Sequence, residues 1–267
     1  MLALFAGTGA LPRHLVGALE AAGERPIVCF MSGFAPDLPS GFETIEFRIE
    51  HLGSLLVRLR KQGVDAVCLA GKVLRPEVDP AEIDAATAPL MARLAAAMQL
   101  GDDGTLRALM AIFEEHGLGI VAAHEIAPDL LPPQGLLAGP APSADQLRDA
   151  ALGKVHLDRM AAADIGQACV VRDGQVLAME TSSGTDAMLK SLAAPQKAVG
   201  AVFCKAPKTG QDRRADLPAI GPETVVGAQA AGITGIWIEA GGVMCLEIDR
   251  LKAEAERYGI SVWVGDV

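Results

Sequence analysis

What the sequence lacks narrows its class before any motif is read. Aromatic residues make up 4% of it, with one tyrosine and two tryptophans. A core must therefore come from Ala, Val, Ile and Leu, which suits an α/β protein with strands buried on both faces. Base is not in excess. Lys and Arg number 23 against 33 Asp and Glu, a formal net charge of −10. That leaves no general basic footprint, so no nucleic-acid partner is expected. The cysteines form no pattern: Cys29, Cys68, Cys169, Cys204 and Cys245 are odd in number and include no CxxC. Reduced, buried thiols are expected, not disulfides or zinc. The N-terminus, MLALFAGTGALP, has neither the cationic start nor the long apolar region of a signal peptide. Charges interrupt each apolar stretch before membrane-spanning length. The expected location is cytoplasmic.

What is present reads as two α/β domains. The chain has 267 residues, 51% hydrophobic and 21% charged, enough for two cores. Strand-like LALFAG, PIVCFM, FETIEF, VDAVCLAG and LGIVAAHE alternate with helical stretches. Among those helices, 52–62 carries an apolar stripe at Leu52, Leu55, Leu56 and Leu59, and 81–99 and 105–116 follow. This alternation predicts a parallel, three-layer domain over residues 1–127. Residues 128–143, PDLLPPQGLLAGPAPS, hold five prolines and two glycines and read as a linker or extended crossing segment. Ser143 and Gln146 form a capping-box pattern ahead of a helix. Residues 144–267 read as a mixed α/β domain, with an Asp173-Gly174 hairpin turn and later strands GAVFCK, GITGIWIE, GGVMCLEI and ISVWVG.

Several junctions suit anions. GTGALP (7–12) leaves the first strand and opens a helix, where backbone N–H groups and the helix dipole favour negative charge. It is a poor dinucleotide fingerprint, because Pro12 stands at the third glycine position and the second strand ends in Phe30-Met31 without an acid for a ribose. A phosphate or sugar site and a plain tight turn are the alternatives. AGKVLRP (70–76) leaves the fourth strand at the same carboxyl edge. There Gly71 permits close backbone approach, and Lys72 and Arg75 supply charge; surface cations on a loop are the other reading. In GDDGT (101–105), Asp102 or Asp103 is an N-cap, while the pair of acids can also orient a ribose or add to a divalent cation's shell. Thr185 and Asp186 begin a helix in SSGTDAML, where a cap competes with a phosphate or metal contact. His124-Glu125 ends a strand. No HExxH, GxSxG or GxxxxGK[ST] occurs.

The densest charge lies in KAPKTGQDRRADLPAIG (205–221). Lys205, Lys208, Arg213 and Arg214 fall among Asp212 and Asp216, a local charge of +2 in an acidic chain. A solvated loop would explain it. A site for a multiply charged anion explains it better, because cations neutralise a pyrophosphate and a carboxylate among them can hold Mg²⁺ or orient a water.

Taken together, AGTGALP, LAGKVLRP, GDDGTLRALM, GLGIVAAHE, DIGQACVV, GTDAML and the 205–221 stretch resemble the LpxI family of UDP-2,3-diacylglucosamine pyrophosphatases, in family order over essentially the whole chain. The resemblance implies a Rossmann-like N-terminal domain and an unusual C-terminal catalytic domain. It implies hydrolysis of a lipid-linked UDP-sugar, UDP-2,3-diacylglucosamine, to UMP and 2,3-diacylglucosamine 1-phosphate in lipid A synthesis. A divalent metal, Mg²⁺ or Mn²⁺, would be needed, and water would attack the phosphorus attached to the sugar. By the RxDxP element, Asp216 becomes the catalytic carboxylate and a metal ligand, beside Arg214. Lys205 and Lys208 match basic positions, and Thr185 and Asp186 match GTD, with Asp186 as a second metal ligand. Gly9, Ala10 and Leu11 match the first glycine turn and Gly71 the second; Lys72 and Asp103 complete the substrate-binding set. The substrate's lipid character adds an expected peripheral contact with the inner-membrane surface. A homodimer is the default expectation for assembly.

Overall fold

The computed structural model describes residues 1–73, 77–98, 102–162, 165–194 and 197–266, with the side chains of 102, 103 and 162 excepted. Arg75, Gln99 and the side chain of Asp103 lie outside the described residues. The chain divides into two compact units, Met1–Ala127 with Asp212–Asp216, and Pro128–Gln211 with Leu217–Val267.

The first unit is built from Leu2–Ala6 (β1), Ala10–Ala21 (α1), Ile27–Met31 (β2), Thr44–Phe47 (β3), Leu52–Lys61 (α2) and Ala66–Ala70 (β4). Ala88–Met98 (α3), Asp102–Glu115 (α4), Gly119–Ile120 (β5) and Ala123–Ile126 (α5) complete it. Its sheet has the order β3-β2-β1-β4-β5, parallel throughout, which is the Rossmann-like arrangement. The apolar run of β1 has nowhere to meet water, since strands pair on both sides and helices cover the faces; Ala3 and Leu4 are fully buried. Leu52, Leu55, Leu56 and Leu59 of α2 lie buried in the core, as their spacing predicts. Phe5 packs on Phe113 of α4 with ring centroids 4.8 Å apart.

Two elements differ from the sequence reading. The helix expected over 81–99 begins at Ala88. Before it, Asp79 accepts from the Ala81 N–H to close a single 3₁₀ turn at Pro80–Glu82, and Asp84 accepts from the Thr87 N–H at 2.7 Å. Pro89 then falls in the first turn of α3, where it is tolerated. The last strand is short, and His124 and Glu125 lie in α5, not at a strand end. The Glu125 carboxylate accepts from the Ala122 N–H at 2.8 Å and turns the chain there.

The second unit holds Gly135–Ala138 (β6), Ala144–Ala162 (α6), Ala168–Arg172 (β7), Gln175–Met179 (β8), Gly184–Leu192 (α7) and Val202–Lys205 (β9). Ala219–Ile220 (β10), Pro222–Ala231 (α8), Gly235–Glu239 (β11), Met244–Cys245 (β12), Ile248–Tyr258 (α9) and Ser261–Gly265 (β13) follow. The main sheet runs β6-β13-β11-β9-β7-β8. Strands β9, β11 and β13 are parallel, and β6, β7 and β8 are antiparallel to their neighbours, so the sheet is mixed. The proline-rich stretch contributes β6, which pairs with β13. Ser143 and Gln146 cap α6 reciprocally: the Gln146 N–H donates to Ser143 Oγ and the Ser143 N–H to Gln146 Oε1. Asp173 and Gly174 both have positive φ, 52° and 75°, as a two-residue turn with matching twist needs.

Period-two alternation sorts β9 between two cores. Val202 and Cys204 belong to the cluster that includes Leu157 and Met160 of α6. Phe203 belongs to the opposite cluster, with Leu189 of α7 and Val225 of α8. Lys205 ends the strand in phase with Phe203, on the side of α7. All five cysteines are free and buried. Burial pushes the Cys29, Cys68 and Cys245 thiols up to about 12, which leaves them unreactive.

Candidate active site

In the second unit the site forms at the carboxyl end of β9. Lys205 is 6% exposed, so its ammonium is held inside the protein. Its Nζ donates to Thr185 Oγ1 at 2.7 Å, in the first turn of α7. The Thr185 hydroxyl donates in turn to Glu180 Oε1 at 2.8 Å, and Glu180 Oε2 accepts from the Gln167 backbone N–H at 2.8 Å. Burial lowers the Lys205 pKa, opposed by the carboxylates of Glu180 and Asp186. A desolvated cation whose hydrogen-bond partner is a neutral hydroxyl gains most from an added anion.

The loop after Lys205 is tied to the start of β7. The Ala206 N–H donates to the Gln167 carbonyl, and Gln167 Nε2 donates to Gln211 Oε1 at 2.8 Å. Gln211 Oε1 also accepts from the Lys208 backbone N–H at 3.0 Å, which folds 208–211 into a turn. Lys208 is half-buried there.

In the first unit, residues 212–216 pack with the N-terminal residues. Asp212 accepts from the Arg214 backbone N–H and Nε at 3.0 Å each and from Nη2 at 2.7 Å; Arg214 Nη1 donates to Glu114 of α4 at 2.6 Å. The Arg214 guanidinium holds the Asp212 carboxyl below the usual range, and Asp212 and Glu114 push the Arg214 pKa up. Asp216 is half-buried, and its N–H reaches the Asp212 carbonyl at 3.3 Å, closing the turn that presents it.

The strand order of this unit reverses between β1 and β4, the switch point where ligands of open α/β sheets bind. Both glycine turns sit there. Gly9 caps α1 with φ 106°, followed by Ala10 and Leu11 in the first helical turn. Thr8 and Lys72 exchange two backbone hydrogen bonds, 2.9 and 2.8 Å, joining the turns. Gly71 has φ 87°, and a Cβ on it would lie 2.8 Å from the Thr8 carbonyl oxygen, so its close approach is to protein. A Cβ on Gly9 would meet nothing within 4 Å. Lys72 is exposed, and Asp103 lies in the first turn of α4.

The structure thus brings Lys205, Thr185 and Asp186 together in one unit, and Gly9, Ala10, Leu11, Gly71 and Lys72 together in the other. Among the described residues no group of three or more His, Cys, Asp or Glu is arranged to hold a metal. Mg²⁺ is commonly held by one or two carboxylates together with substrate phosphates, so a single carboxylate of the kind that Asp216 or Asp186 carries is of the right donor type.

Two domain families match this chain: the LpxI N-terminal domain over residues 1–130 and the LpxI C-terminal domain over 133–263. The chain belongs to the LpxI family. A relative from Caulobacter vibrioides, described as UDP-2,3-diacylglucosamine pyrophosphatase LpxI, is 35% identical over 268 residues, covering 98% of this chain and 96% of the relative.

Against the LpxI resemblance, the sequence reading missed Glu180, Gln167, Gln211 and Glu114. Gln167 lies within DIGQACVV, but its role rests on a backbone N–H and a distant glutamine. A signal for Glu180 existed: a carboxylate just before a Ser-Ser-Gly turn that opens a helix at Thr185. Among the described residues no helix is long and apolar enough to cross a membrane.

Proposed function

We propose that this LpxI chain hydrolyses the pyrophosphate of UDP-2,3-diacylglucosamine to UMP and 2,3-diacylglucosamine 1-phosphate, a step of lipid A synthesis. The observation that carries this reading is the 35% identity, end to end, to a relative described as that pyrophosphatase. Lys205 supports it. A buried cation at the end of a sheet strand, hydrogen-bonded to a neutral hydroxyl, suits the charge that accumulates on a transferring phosphoryl group. Lys208, on the turn tied to Gln211, adds a second cation to the phosphates. Gly9, Ala10 and Leu11 bind through backbone at the switch point, Gly71 holds the neighbouring turn against Thr8, and Lys72 and Asp103 complete the substrate-binding set. Asp216 orients the water that attacks the phosphorus attached to the sugar; UMP departs with the bridging oxygen. Asp216 and Asp186 are the carboxylates for Mg²⁺ or Mn²⁺, which when bound would neutralise phosphate charge. Arg214, clamped by Asp212 and Glu114, fixes the turn that carries Asp216 and offers its remaining donor edge to substrate.

The test is hydrolysis of UDP-2,3-diacylglucosamine with Mg²⁺, by wild type and Asp216→Ala, with EDTA as control. Formation of UMP and the sugar phosphate by wild type with metal alone is expected. A fully active Asp216→Ala would remove Asp216 from catalysis, and a folded but inactive wild type would overturn the substrate. The acylated substrate also places the enzyme at the inner-membrane surface as a peripheral protein; recovery wholly in the supernatant after sedimentation with vesicles containing the substrate would refute that contact.

A further inference from the structure

Glu180 is a carboxylate without a role in the reading above, and its geometry is unusually constrained. It follows β8 directly. Its own N–H donates to the Ala168 carbonyl at 2.8 Å. A Cβ on Gly166 would lie 2.4 Å from the Glu180 carbonyl oxygen, so only glycine lets these two segments meet. The backbone of Glu180 is therefore fixed, and both side-chain oxygens are taken: Oε2 by the Gln167 N–H and Oε1 by the Thr185 hydroxyl, each at 2.8 Å. Its bond to α7 goes to a hydroxyl. Ser183 at the N-cap position makes no side-chain cap hydrogen bond, and the Glu180 carboxylate meets the Gln167 N–H and the Thr185 hydroxyl, not a backbone N–H of α7.

The direction of these bonds carries the inference. A threonine hydroxyl has one proton and two lone pairs. Thr185 gives its proton to Glu180, and so turns a lone pair toward Lys205 Nζ at 2.7 Å. The order is one-way: Lys205 donates to Thr185, Thr185 to Glu180, and the Gln167 amide locks Glu180 from the other side. With no acceptor at 180 the hydroxyl rotates freely, and the buried ammonium loses its aim and one of the two carboxylate charges near it. We propose that Glu180 is a positioning residue that aims Lys205 at the substrate's phosphates through the Thr185 hydroxyl. This rests on the pyrophosphatase reading. Thr185 then acts on substrate through Lys205 and not by donating its own proton.

Glu180→Gln tests this, because it is isosteric yet cannot accept from both Thr185 and the Gln167 N–H with the same pair of atoms. We would measure kcat and KM of Glu180→Gln alone and in a Lys205→Met background, with thermal unfolding of each. The expected result is a loss of about tenfold in kcat/KM with Lys205 present and a change within about twofold once Lys205 is gone. Equal losses in the two backgrounds, or a folded Glu180→Gln with unchanged kcat/KM, would overturn the proposal. If Glu180→Gln does not fold, Thr185→Val breaks the same relay while leaving the Gln167–Glu180 bond intact. Its loss should likewise vanish in the Lys205→Met background, and additive losses would refute the relay. Wild-type hydrolysis is the control for the substrate. Should wild type leave the lipid substrate intact, the same cycle is read as affinity for inorganic pyrophosphate by calorimetry, where a Glu180→Gln loss that depends on Lys205 supports the relay and an independent one overturns it.

Discussion

Glu50 in the N-terminal unit and Lys205 in the C-terminal unit are both buried charges, and the two are treated in opposite ways. Glu50 in the N-terminal unit is 1% exposed; Lys205 in the C-terminal unit is 6% exposed. Glu50 is met by a cation. Arg48 donates to both its oxygens, at 2.9 and 3.2 Å, and the Asp79 N–H adds a bond at 2.8 Å. The Arg48 hydrogen bond outweighs burial and brings the Glu50 pKa from 4.5 down to about 2. Lys205 is met by a neutral hydroxyl, and burial brings its pKa down. In one case the surroundings favour the charged form and in the other they oppose it. A buried charge with a direct counter-ion is finished structure, and it pins the Asp79 backbone ahead of the 3₁₀ turn. A buried charge with only a hydroxyl is held against its solvation preference and has its stabilisation to gain from a ligand.

Lys205→Met should separate the two most sharply. Loss of a preorganised charge at the phosphates should lower kcat/KM by about 100-fold or more. Its thermal midpoint should hold or rise, because an unbranched apolar side chain of similar length replaces a desolvated ammonium. A clear fall in the midpoint would show that Lys205 is compensated in the free protein, as Glu50 is, and would break the contrast.

Glu50→Gln should do the reverse. Breaking the pair with Arg48 should cost about 2–3 kcal/mol of unfolding free energy. The activity should stay within about twofold, since no part of the site touches residue 50. The pH dependence carries the same signature. Because the folded pKa of Glu50 is depressed, its contribution is fully present above 4.5 and is lost as pH falls toward about 2. That contribution is up to about 3 kcal/mol, reduced where water screens the half-exposed Arg48 guanidinium. Urea midpoints followed from pH 6 downward should fall more steeply in wild type than in Glu50→Gln across that window. Parallel curves would mean that Arg48 does not hold the carboxyl in solution.

The contrast also marks what the sequence could and could not reveal. Hydrophobic periodicity and glycine punctuation report local structure, so the parallel sheet, the α2 stripe, the Asp173-Gly174 hairpin and the Ser143 cap were all legible. The short β5 and the late start of α3 were not, because side chains of Glu125, Asp79 and Asp84 turn the backbone within stretches that read as regular. Lys205 and Thr185 stood out through local charge and a helix start. Their contact depends on which face of β9 residue 205 occupies and on how α7 packs there, and no pattern around either residue encodes that. Glu180 and Gln167 meet through the same tertiary arrangement, and nothing local to Glu50 marks it as buried.

The same criterion, whether the protein or something else fills the space, applies to the two glycine turns at the N-terminal switch point. Gly71→Ala should cost about 2 kcal/mol or more, because φ 87° is unfavourable for alanine and the new Cβ would press on the Thr8 carbonyl. Gly9→Ala should cost less, about 1–2 kcal/mol from its φ of 106° alone, since its Cβ would meet no protein atom within 4 Å. If that open space is where substrate backbone contacts form, Gly9→Ala should raise KM more than its small stability loss would suggest, and Gly71→Ala should lower stability more than it raises KM. Equal effects on KM from the two variants would place the turns together as scaffold, on the side of Glu50 and not of Lys205.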